Sequence, residues 1–198
     1  MARLLALLLL LLAGTAQAQH AGKPLLLVAS PDVRGPYSRT VLVAVPVGDE
    51  HLGFIVNRAT EVKLAALFPE HAPSAKVVDP VYFGGPEMTG AVFAVVRRNP
   101  GTEAVRLFGD VFLVAEADAV DRVIERTPND ARYFAGFVGW KPGELASEID
   151  AGYWHVTDAD ADAEIFWQDH HTLWQELVER LGNGHAPQRG RGFQSAGL

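Results

Sequence analysis

The sequence predicts a single α+β domain of mostly antiparallel strands with helices inserted between them. Short apolar runs recur along the chain, each closed by glycine, proline or asparagine turns of hairpin length. Segments with helical spacing are few and do not alternate with the strands, which argues against repeated βαβ units. Removal of an N-terminal leader would leave roughly 180 residues, the size of one domain.

The leader is expected at residues 1–18. Arg3 precedes an apolar run from Leu4 to Leu12, and small residues end at Ala16-Gln17-Ala18, the layout of a secretory signal cut after Ala18. The run is shorter than the roughly 20 residues that span a bilayer, so no membrane span is expected after cleavage. The mature chain is expected in the periplasm, with one domain at 19–182 and a glycine-rich polar tail at 183–198.

Lys23-Pro24 starts the folded part, and Leu25 to Ala29 reads as a buried strand closed by Ser30-Pro31. Asp32 to Ser38 contains Gly35-Pro36 and reads as a loop. Thr40–Pro46 and Leu52–Asn57 are expected to form a hairpin about Gly48-Asp49. Lys63 to Phe68 has room for one or two helical turns before Pro69, and Val77 to Phe83 is extended up to Gly84-Gly85-Pro86. Ala91–Val96, Val105–Leu107 and Val111–Ala115 follow as strands, separated by Asn99-Pro100-Gly101 and Gly109-Asp110.

Helical spacing of Val120, Val123 and Ile124 predicts a helix over 118–126. Arg132 to Val138 is a strand. Gly136, Gly139 and Gly143 around Trp140 predict that it stops sharply beside the indole, before a helix over 142–151 with Pro142 at its first position. Trp154–Thr157 is a short strand, a helical segment begins near Asp162, and Thr172–Leu181 is a helix with Leu173, Leu177 and Leu181 on one face.

Charge excludes some functions. The net charge of −7 becomes −8 without Arg3, with 16 basic against 24 acidic residues and no basic stripe, so nucleic acid is not an expected partner. An exported chain with no cysteine has no disulfides, and its stability must come from the apolar core.

Taken together, Ala29-Ser30-Pro31 with Ser38-Arg39-Thr40-Val41, Gly53-Phe54-Ile55-Val56-Asn57-Arg58, Phe83-Gly84-Gly85-Pro86, Gly136 to Ile149 with Trp154, and Ile165-Phe166 with Leu173-Trp174 resemble the YqgE/AlgH family, a bacterial domain of unknown function. The resemblance runs from Leu25 to about Gly182. It implies strands curled into a pseudo-barrel with helices packed outside, and it implies no particular activity. The chain departs from the family pattern at Ala59, where proline is usual, at Gly90, where an arginine is expected, and at Glu144 and Ala146 in the helix.

The candidate ligand-binding residues are Asn57, Arg58, Gly84, Gly85, Trp140 and Glu148, expected around one cleft. Arg58 would anchor a small anionic ligand. The glycines would offer backbone N–H groups, and Trp140 would form a wall. The structural alternatives are that Asn57 turns the backbone, that Arg58 pairs with an acid such as Glu148, that the glycines only turn the chain, and that Trp140 and Trp154 are core.

Glu144 and Glu148 lie four apart on one helical face, so a hydrolase or transferase using them is a second reading, and a module binding a periplasmic protein is a third. Asp158, Asp160 and Asp162 imitate a calcium loop, but Ala163 stands where glycine is needed. His170 and His171 would point about 100° apart on a helix. No catalytic residue, metal or cofactor is assigned.

Overall fold

The computed structural model describes residues 23–101, 103–157, 161–166 and 169–184. The expected leader at 1–18, Asp158 and Asp160, and the tail from 185 onward lie outside the described residues.

Among the described residues, ten strands form one continuous curled sheet. They are β1 (Leu25–Ala29), β2 (Val41–Val47), β3 (Glu50–Ile55), β4 (Ala59–Lys63), β5 (Pro80–Phe83), β6 (Glu87–Arg97), β7 (Ala104–Phe108), β8 (Val111–Val114), β9 (Ala131–Trp140) and β10 (Trp154–Thr157). The main path is β10-β1-β2-β3-β9-β6-β8-β7, and a side branch carries β4 and β5. Every pair is antiparallel except β5 with β9. The helices are α1 (Leu64–Leu67), α2 (Ala117–Arg126), α3 (Glu144–Asp150), α4 (Ala161–Ile165) and α5 (Leu173–Gly184). The fold is α+β as expected, a curled half-barrel of mostly antiparallel strands with a few helices, which pack on both faces of the sheet rather than only outside it.

Strands β1 and β2 are apolar without alternation because both faces of the sheet are covered. Leu26, Val28, Val41 and Val43 face a core that includes Leu173 and Leu177 of α5. Leu25, Leu27, Leu42 and Ala44 face the opposite core, closed by Leu145 of α3, Trp140 and Trp154. A third cluster sets Val120, Val123 and Ile124 of α2 against β6, β8 and β9, as their spacing predicted.

Four expectations need correction. The strand before Trp140 does not stop at Val138. It runs to Trp140 and bends inside, at Gly136, whose φ is +72°. At this left-handed residue the register with β6 shifts, β6 pairing with Ala131–Ala135 on one side and with Phe137 on the other, and Val138–Trp140 then pair with β3. Pro142 is outside α3, which starts at Glu144 behind a left-handed Gly143 (φ +78°). Strand β4 was not foreseen, because Ala59 to Lys63 is a largely exposed branch paired with β5 alone. The last helix extends to Gly184, past the expected start of the tail.

Candidate functional site

The residues expected to share one cleft divide into two groups. Asn57 is engaged by the backbone: Val41 N–H donates to its Oδ1 at 2.8 Å and its Nδ2 donates to Arg39 O at 2.9 Å. Arg39 is left-handed (φ 57°), so the amide of Asn57 clamps the strained entry to β2. Gly84 and Gly85 are buried, which corrects the expectation of an open anion nest. Gly84 N–H donates to Ala135 O at 2.9 Å, and a Cβ on either glycine would meet β9 backbone at 2.2 Å. They exist to let two backbones touch.

Arg58 is half-buried, its guanidinium 5.8 Å from the centre of the Phe83 ring. Among the described residues no carboxylate comes within 4.0 Å of it, so the structural alternative, pairing with an acid such as Glu148, is not formed. Desolvation lowers its pKa, while the nearby Tyr37 opposes that shift.

Trp140 and Glu148 do meet, and they bring in Trp154. Trp140 ends β9, Trp154 opens β10, and α3 joins the two strands. Both indole N–H groups donate to the same oxygen, Glu148 Oε2, at 2.9 Å from Trp140 and 2.7 Å from Trp154. The two tryptophans are 4% and 5% exposed, so the carboxylate satisfies two donors that the fold has otherwise buried. Gly53 makes room for the first indole, since a Cβ there would lie 2.7 Å from Trp140 Cζ3. The expectation of a tryptophan core and that of a tryptophan wall describe two sides of the same rings.

A cleft of about 650 Å³ opens over this triad. One side is the loop after β1, with Asp32, Arg34 and Tyr37, and the other is α3, with Glu144 and Glu148. Tyr37 meets Trp154 edge to face at 6.0 Å. Its phenol pKa is raised by burial, then by Glu148 and Glu87, against the opposing pull of Arg58, so it stays a hydrogen-bond donor at neutral pH. Glu144 Oε2 accepts Lys141 N–H at 3.0 Å, which fastens the start of α3. The two glutamates therefore share the cleft face, as their spacing of four predicted.

Sequence reasoning missed Tyr37 and Asp32. An aromatic inside a Gly-Pro loop was the available signal, and nothing local linked it to a helix more than 100 residues later. Elsewhere, the His170 and His171 rings lie 4.9 Å apart, tilted by 48°, and His170 Nδ1 lies 3.0 Å from the Tyr82 hydroxyl with its ring edge-on to Tyr82. A smaller hollow of about 120 Å³ beside α2 carries the Arg122–Glu103 ion pair at its lining.

The DUF179 family model, described as AlgH-like, matches residues 26–186. The chain is 28% identical over 163 residues to a UPF0301 protein of Chlorobium limicola, covering 80% of this chain and 85% of that one. It is 30% identical over 163 residues to a UPF0301 protein of Rhodococcus jostii, covering 78% and 80% respectively. Among solved structures, the solution structure of the AlgH protein from Pseudomonas aeruginosa superposes with a TM-score of 0.66 at 21% identity, covering 85% of this chain and 94% of that one. A crystal structure of a Corynebacterium diphtheriae protein gives 0.64 at 23%, covering 81% and 86%. At these identities the structures speak for the fold, and together with the family model they place the resemblance noted in the sequence on firm ground: the chain belongs to the AlgH-like DUF179 family.

Proposed function

We propose that this chain is a periplasmic binding domain whose ligand enters the cleft between the Asp32–Tyr37 loop and α3. The observation that carries the reading is the double hydrogen bond of Trp140 and Trp154 to Glu148 Oε2. It fixes two large aromatic rings and one carboxylate before any ligand arrives, which lowers the ordering cost of binding. Trp140 and Glu148 supply wall and anchor. Asn57, Gly84 and Gly85 shape the sheet that carries them. Export by a leader cut after Ala18 puts the domain in the periplasm.

A second reading is favoured by Arg58, a half-buried guanidinium with no carboxylate within 4.0 Å among the described residues: an anionic group bound there. The test is native mass spectrometry of protein released from its own periplasm, beside Glu148→Gln and Arg58→Ala. An adduct lost in Glu148→Gln and kept in Arg58→Ala supports the cleft. Loss in Arg58→Ala alone moves the site to the second reading. Clean apo mass throughout, or retention of the protein in the cytoplasm, refutes the proposal.

A further inference from the structure

We infer that the cleft takes an organic cation, an ammonium group carrying alkyl substituents. This rests on the cleft being the binding site and names the class of ligand that its lining selects.

Charge points first. The cleft lining includes the carboxylates of Asp32, Glu144 and Glu148 against one cation, Arg34. Arg34 is turned back on its own loop, its Nη1 donating to Pro31 O at 2.8 Å. Arg58 is not part of the lining and stands near Tyr37, where Glu87 and Glu148 act on the same phenol with opposite sign. An entering anion therefore meets three carboxylates, and an entering cation meets one engaged guanidinium.

The aromatic surroundings point the same way. Tyr37, Trp140, Tyr153 and Trp154 all contribute to the lining, and aromatic faces attract cations electrostatically while offering a neutral alkyl group contact area alone. Both indole N–H groups are already held by Glu148, so the tryptophans have no donor left for an anionic oxygen. Because Oε2 is fixed by two donors, the remaining oxygen of Glu148 is fixed with it. A carboxylate held beside aromatic rings recognises positive charge without reorganising.

The experiment follows the indole N–H resonances of Trp140 and Trp154 by NMR in the full mature chain. Three probes of similar bulk are titrated: tetramethylammonium, neopentyl alcohol and pivalate. The expected result is that tetramethylammonium shifts both resonances and the other two probes do not. Glu148→Gln, which keeps an oxygen to accept both indoles, is expected to weaken the cation about tenfold, and Glu144→Gln a few-fold. Neopentyl alcohol or pivalate binding as tightly overturns the inference, as does tetramethylammonium binding that is indifferent to both variants. In those cases the cleft stands as a site and only its charge preference falls. Silence from all three probes also overturns the inference, and a native adduct lost in Glu148→Gln would then show that the binding reading survives without it.

Discussion

Glu148→Ala is the substitution that the geometry judges most severely. It deletes the oxygen that accepts from Trp140 at 2.9 Å and from Trp154 at 2.7 Å, on rings only 4% and 5% exposed. A buried donor left unsatisfied costs roughly 1–3 kcal/mol. Two such donors, partly reached by water through the cleft, give about 2–4 kcal/mol. That is a large share of the roughly 5–15 kcal/mol that holds a domain folded. At about 2–4 °C per kcal/mol for a chain of this size, the thermal midpoint should fall by about 4–16 °C. Glu148→Gln retains an acceptor oxygen and loses only the charge assistance, so its cost should be about 1 kcal/mol. Urea unfolding followed by circular dichroism measures both. A Trp154→Phe background, which removes one donor, should shrink the penalty of Glu148→Ala by about 1 kcal/mol in a double-mutant cycle. Equal stability of the Ala and Gln variants, or strict additivity with Trp154→Phe, would refute the reasoning.

Other perturbations separate framework from cleft. Gly136→Ala places a Cβ 2.4 Å from Gly85 O at a φ of +72°, so it should lose about 3 kcal/mol or more in urea unfolding, whereas Gly90→Ala meets nothing within 4 Å and should stay within about 0.5 kcal/mol of the parent. Asn57→Ala removes both hydrogen bonds of the clamp on Arg39 and Val41 and should cost about 1–3 kcal/mol, visible as a lower urea midpoint with an unchanged slope. His170 has a pKa lowered first by burial, then by His171 and Arg132, below its ordinary 6.5. The unfolded chain therefore binds the proton more readily, so this contribution is complete above pH 6.5 and declines as pH falls toward the folded-state value. His170→Gln should reduce the loss of urea midpoint between neutral and mildly acidic pH, and an unchanged loss would count against the assignment.

Strands and helices with one dominant local signal were legible. The apolar run of β1, the Gly48-Asp49 hairpin and the spacing of Val120, Val123 and Ile124 each carry their answer within a few residues. What escaped depended on a distant partner. Gly136 looks like the end of a strand until β6 and β3 are seen to need different stretches of β9. Gly84 and Gly85 look like an open turn until β9 is seen to pass so close that an added Cβ would lie 2.2 Å from the backbone of Gly136 or Phe137. The site was half legible for the same reason. Trp140 and Glu148 lie eight residues apart, joined by one helix, and their side chains meet. Tyr37 reaches them across the sheet, and Asn57 and Arg58 turn to other partners, which no local pattern encodes.

The most direct test is a crystal structure of the protein purified without denaturation from the cells that naturally make it. Density for a bound molecule is expected in the cleft, in contact with Trp154 and the second oxygen of Glu148, with both indole N–H bonds to Oε2 intact. Density beside Arg58 and away from α3, or an adduct detected by mass and seated outside the cleft, would contradict it.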